Sequence, residues 1–144
     1  MLTKTTKWTG TRWEDIYGYP QAVRVEDTIY VSGQLSVDAD GDMIGPAPLD
    51  ADGKIADHSN MEIQMRQTYA NAEKLLAQFG ATLADVVEEM VLVTDMDKAF
   101  DVAGKVRREA YKSERPEVAS TIFVTPRLAL PDQLIEIKFV ARLR

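Results

Sequence analysis

The sequence predicts an α+β fold: a mixed sheet with two amphipathic helices on one face, in the order β-β-(β)-α-β-α-β-β. Three observations carry this. Ile135, Ile137, Phe139, Ala141 and Leu143 alternate with Glu136, Lys138, Val140 and Arg142, the period of a strand with one buried face. Met61, Met65, Tyr69, Ala72, Leu76 and Phe79 recur at three- and four-residue steps, the period of a helix. The β-rich runs are interleaved with the helical ones, which suits two helices layered on one side of a sheet.

Taken in order, residues 1–17 form a lead with Trp8 and Trp13, otherwise irregular, whose aromatic content predicts docking on the body. Gln21–Val25 and Thr28–Leu35 read as a hairpin around Glu26-Asp27. Met43-Ile44-Gly45 is a candidate short return strand. Asp38-Ala39-Asp40-Gly41 and Asp50-Ala51-Asp52-Gly53 are read as turns and not calcium loops. They lack the longer ligand set and closing bidentate glutamate such a loop requires.

The first helix is expected to begin near Ser59, with Ser59 and Glu62 as a capping box, and to close at Gly80. Gln64, Gln67 and Asn71 share a neighbouring face, suited either to a buried strand backbone or to a wet edge. After a turn at Thr82–Asp85, Val86–Thr94 reads as a strand covered on both faces. Asp97 is the expected cap of a second helix through Tyr111, with Phe100, Ala103 and Val106 inward. Pro116 breaks that run before the β-rich stretch Val118–Val124 and the closing strand at Leu134–Leu143.

A chain of 144 residues with 45% hydrophobic content fits a single domain spanning 1–144. Without cysteine, disulfides and thiolate chemistry are excluded. No apolar run approaches a membrane span, and the N-terminus lacks a secretory apolar core, so a cytoplasmic protein is the expectation. The net charge of −6 and the scattered basic residues argue against nucleic acid as a partner. The nearest basic cluster, Lys105-Val106-Arg107-Arg108, reads as a solvated helix face.

His58, the only histidine, lies in a polar loop before the helix cap and reads as solvated. One histidine and no cysteine leave no ordinary zinc set, so no metal is expected. No nucleophile elbow or phosphate loop is present. The remaining chemical candidate is Glu136, mid-strand between isoleucines. A carboxylate drawn from water holds its proton more tightly and can act as a general acid/base. The alternative is an ordinary outward strand residue paired with Lys138 or with an adjacent strand.

Four segments carry a resemblance. Gly18-Tyr19-Pro20-Gln21-Ala22-Val23 with Ile29-Tyr30-Val31-Ser32-Gly33-Gln34 forms the opening. Gln64-x-x-Gln67-x-x-x-Asn71 lies on the first helix. Val91-Leu92-Val93-Thr94-Asp95-Met96 precedes the second. Leu130-Pro131 with Ile135-Glu136-Ile137 closes the chain. In this order and spacing, over roughly residues 17 to 143, they resemble the RidA/YjgF family of enamine/imine deaminases.

The resemblance implies a chorismate-mutase-like fold and a homotrimer with a central barrel, ligand clefts lying between subunits. It implies that Glu136 positions the attacking water, that Tyr19 and Ser32 line the cleft, and that no cofactor is needed. In the deaminases an arginine on the penultimate strand grips the substrate carboxylate in a bidentate contact. Here the matching triplet is Ala119-Ser120-Thr121, so that charge is missing; Ser120 and Thr121 offer hydroxyls to a neutral or polar ligand. Arg115 and Arg127 flank the strand, and the stretch Val124–Pro131 is longer than in the deaminase branch.

The function implied is a small-metabolite hydrolase of the enamine/imine deaminase type with non-standard specificity. The alternative, favoured by the missing arginine, is a non-catalytic metabolite-binding trimer, a sensor or accessory protein.

Overall fold

The structure, a computed structural model, describes residues 1–144. The elements run β1 (Thr5–Lys7), α1 (Arg12–Tyr17), β2 (Ala22–Val25), β3 (Thr28–Gln34), α2 (Met61–Ala77), a 3₁₀ turn (Leu83–Asp85), β4 (Val86–Val93), α3 (Met96–Tyr111), β5 (Ala119–Val124) and β6 (Ile135–Arg142). One six-stranded sheet has the order β1-β2-β3-β6-β4-β5. Only β4 and β5 pair in parallel, because α3 carries the chain back between them. The last strand therefore enters the middle of the sheet, between β3 and β4.

The alternation read in β6 holds. Ile135, Ile137, Phe139 and Ala141 are completely buried beneath α2 and α3, and the Phe139 ring meets Tyr69 edge-on with centroids 5.9 Å apart. The opposite sheet face has no helix over it. It carries Tyr30, Met90, Leu92, Val140 and Phe123 among charged residues, and Tyr30 and Phe123 remain 47% and 41% exposed.

The lead is not irregular. Its first strand pairs with β2, Thr5 opposite Arg24 and Lys7 opposite Ala22. Buried Glu14 of α1 gathers the Thr9 amide at 2.8 Å, the Thr9 hydroxyl at 2.6 Å and the Gly10 amide at 3.1 Å. Burial alone would raise this carboxyl's pKa, but these hydrogen bonds hold it below the ordinary value.

Several boundaries differ from those expected, each for a local reason. The return strand at Met43–Gly45 is a single bridge, Val37 to Met43. Asp38 Oδ1 accepts the amides of Asp40 and Asp42, so the loop's hydrogen bonds are satisfied locally. The second tetrad does the same, with Asp50 Oδ1 accepting from Asp52 and Lys54.

The capping box does not form. The first long helix starts at Met61, Ser59 donates to Asp57, and Glu62 pairs with Arg66 one turn on at 2.8 Å. At its far end Gly80 (φ 74°) and Ala81 donate to the carbonyls of Ala77 and Leu76, a Schellman closure. The second long helix is capped by Asp95, whose Oδ1 accepts from the Lys98 amide, and not by Asp97. That start brings Ala99, Ala103 and Val106 inward and leaves Phe100 63% exposed.

Strand β4 is not covered on both faces. A register shift between Val86 and Glu88 resets its alternation, so Val86, Glu89, Val91 and Val93 are buried while Glu88 faces out. No helix is long and apolar enough to cross a membrane.

Candidate active site

Glu136 sits on the central strand, on the face away from the helices, with Leu92 of β4 beside it. On its other flank β3 is bulged. Val31 pairs with Phe139 and Gln34 with Ile137, so three steps along β3 match two along β6. A bulge re-aims the residues within it, and Gly33 lies in this one. A side-chain carbon at Gly33 would fall 2.0 Å from Glu136 Oε1 and 2.7 Å from its Cδ. A side chain at Gly33 would force the Glu136 side chain to move, because the carboxyl occupies the volume that side chain would fill.

Ser32 locks the neighbouring segment. Its hydroxyl donates to the Pro20 carbonyl at 2.8 Å, and its amide donates to the Gln21 carbonyl at 2.8 Å. That fixes Tyr19 beside the bulge. Burial, and then the charge of Glu136, raise the Tyr19 phenol pKa, while burial alone raises that of Glu136. The expected alternative, an ion pair with Lys138, does not form: Lys138 is exposed, and no cation offsets the burial of Glu136. Tyr19, Ser32 and Glu136 are therefore brought together, with Gly33 as the contact surface.

The triplet on β5 is divided by the strand's alternation. Ser120 turns to the helix side, where its hydroxyl donates to Glu89 Oε1 at 2.8 Å. Ala119 and Thr121 consequently share the Glu136 face. They are not beside it within one chain. Glu136 lies in the row of Leu92 and Phe123, and Ala119 in the row of Glu88 and Val140. Two strand spacings and four residues separate them, roughly 16 Å. Arg115 and Arg127 lie beyond the two ends of β5, both exposed.

Sequence reasoning missed Glu89. Its carboxylate is buried and accepts from four side chains: Tyr69 and Tyr111 at 2.9 Å each, Arg107 at 2.6 Å and Ser120 at 2.8 Å. Burial, followed by this carboxylate's charge, pushes both phenol pKa values up, so both remain donors. Arg107 is thus not on a solvated face; it is the counter-charge of a buried acid. The available signal was a glutamate inside an apolar strand, with Arg107 and Tyr111 four residues apart on one helix.

The open alternative for the glutamine face is also settled. Gln64, fully buried, donates to the carbonyls of Gly45 and Asp132 and accepts from the Leu134 amide. Asn71 donates to the carbonyls of Leu35 and Val37 and accepts from Gln67. These side chains pin to α2 the long loop after β3, and Gln64 also pins the entry to β6.

Residues 9–143 match the family model described as Endoribonuclease L-PSP. The chain is 34% identical over 125 residues to a RutC family protein of Saccharolobus solfataricus, with 86% of each covered. It is 28% identical over 103 residues to the human 2-iminobutanoate/2-iminopropanoate deaminase, covering 71% of this chain and 65% of that protein. Among solved structures, Rv2704 of Mycobacterium tuberculosis, a member of the YjgF/YER057c/UK114 family, is similar with a TM-score of 0.75 and 28% identity. That match covers 98% of this chain and 100% of the other.

Proposed function

The chain belongs to the Endoribonuclease L-PSP family, which includes RutC-type proteins and imine deaminases, and on that premise we propose that it is a small-metabolite hydrolase of the enamine/imine deaminase type. The observation carrying this reading is the Glu136 carboxyl, seated against Gly33, beside Tyr19, with its pKa raised by burial. A carboxyl whose pKa is raised by burial holds its proton more tightly than a solvated one, the direction that suits general acid/base work.

In the proposed reaction a water oxygen bonds to the imine carbon while Glu136 takes a proton from that water. Glu136 passes that proton to the imine nitrogen, giving a carbinolamine; the hydroxyl proton then moves through the same carboxyl to the nitrogen as the C–N bond breaks, and ammonia leaves a carbonyl product. Tyr19 and Ser32 line the site. No metal or organic cofactor enters this scheme.

The separation between Glu136 and the Ala119–Thr121 face supports a cleft completed by a second copy's β5. That strand is a sheet edge, and the uncovered, partly apolar face beside it suits burial against another subunit. The homotrimer and the cytoplasmic setting in this reading are those that the family resemblance and the sequence lead one to expect. Ala119 supplies no charge for a substrate carboxylate, so the preferred substrate is a neutral or polar imine, with Thr121 as a hydroxyl partner. The family description is not extended to RNA cleavage, since the net charge of −6 opposes binding a phosphate backbone.

The missing charge equally favours a second reading, a metabolite-binding trimer without catalysis. The test is hydrolysis of freshly generated 2-aminoacrylate imine and of a neutral imine by wild type, Ala119→Arg and Glu136→Gln. Turnover of the neutral imine, lost in Glu136→Gln, supports the hydrolase, and a gain on the carboxylated imine in Ala119→Arg supports the assigned role of position 119. Inactivity of all three on both substrates, with ligand binding retained, supports the non-catalytic reading.

A further inference from the structure

We propose that the cavity between the N-terminal lead and α2 is a second ligand site, separate from the Glu136 side of the sheet, and that it takes a small planar carboxylic acid. The cavity measures about 580 Å³, within the size range of small-molecule sites. The lead contributes Trp8 and Trp13, the hairpin Gln21 and Gln34, and the helix Lys74 and Gln78. Tyr19 and Gly33 also line it and form the partition from Glu136, which does not.

The walls are built before any ligand arrives. Gln34, 7% exposed, donates to Gln21 and to the Ser32 carbonyl, both at 3.0 Å. Asn71 has its amide filled on both ends. The lead is braced internally by the hydrogen bonds to Glu14 and held to the body by its pairing with β2. Arg12 stacks on the Trp13 ring, 4.7 Å from its centroid, and steadies the indole. Such preorganisation lowers the ordering cost of binding.

The unspent groups define the ligand. Lys74 is the one cation in the lining, forms no ion pair and has Gln78 one turn beyond it. Trp13 Nε1 is buried without a hydrogen-bond partner. Asp38, the one carboxylate in the lining, has its Oδ1 engaged by two backbone amides. Flat indole surfaces favour a planar apolar body, and Lys74 with Gln78 favours a carboxylate at the exposed rim.

The chain has two tryptophans, and both line the cavity. Their indole N–H resonances in the ¹⁵N-labelled full chain therefore report its occupancy. The probes are nicotinate and its neutral isostere nicotinamide. Nicotinate should shift both resonances saturably, and Lys74→Met should weaken its binding about tenfold, the scale of one lost charge-assisted contact. Nicotinamide should bind more weakly and ignore Lys74→Met, and Glu136→Gln should leave nicotinate binding unchanged. Three results overturn the proposal: no saturable shift at millimolar nicotinate, equal nicotinate affinity in Lys74→Met, or loss of the response in Glu136→Gln, which would place the ligand on the other side of the partition. None of them bears on whether imines are hydrolysed.

Discussion

The Glu136 carboxyl lies against the α-carbon of Gly33 in the β3 bulge, where an added methyl would fall 2.0 Å from Oε1. The contact joins an acidic residue of β6 to a bulged residue of β3 that has no side chain. Gly33→Ala should destabilise the fold by about 1–3 kcal/mol through overpacking. In a Glu136→Ala background most of that cost should vanish. Urea unfolding of the four chains of this cycle checks it, and additive effects would show that the two residues are not in steric contact.

Burial raises the folded-state pKa of Glu136 above its unfolded value. Between the two values the folded chain holds more protons, so its stability falls as pH rises through that window. Glu136→Gln should therefore be more stable than wild type at neutral pH, and the gap should close as pH falls through the ordinary carboxylate range. Urea midpoints across a pH series measure this. A gap independent of pH would rule out titration of Glu136 as its source.

Glu89 should behave in the opposite way to a surface acid. Glu89→Gln leaves Arg107 without its counter-charge and upsets the donors of Tyr69, Tyr111 and Ser120. Breaking a buried pair from one side costs about 3–5 kcal/mol, whereas Tyr111→Phe removes one hydrogen bond to a charged group, about 1.5–3 kcal/mol. Chemical denaturation of both variants should rank them in that order; equal losses would mean that Arg107 finds another partner.

Gln64→Leu keeps the bulk and removes three hydrogen bonds, orphaning the Gly45 carbonyl and the Leu134 amide, while the Asp132 carbonyl keeps the Ala47 amide at 3.0 Å. Each buried group left unpaired costs about 1–3 kcal/mol. Hydrogen exchange at the Leu134 amide should accelerate well beyond that of β6 residues such as Phe139. Uniform acceleration along β6 would indicate global destabilisation instead of local release.

Periodicity determined the layer order, both long helices, the buried face of β6 and the position of Glu136 on its other face. Apolar spacing is a one-dimensional record of which side of an element meets the core. Helix starts were less legible at Ser59 and Asp97, because several neighbouring polar residues were each capable of capping. The winner depended on competing partners such as Asp57 for Ser59 and Arg66 for Glu62.

Other facts had no local signature at all. The shift that buries Glu89, the bulge that seats Gly33 under Glu136, and the turning of Ser120 away from Ala119 and Thr121 all depend on strand registers. Those registers join segments such as residues 31–34 with 137–139. A one-residue change of register exchanges the two faces of a strand, and register is set by what the neighbouring strands offer, not by the strand's own letters. The sequence by itself determined which residues could do chemistry. The tertiary structure alone decided which of them meet, because those meetings are made between segments far apart in the chain.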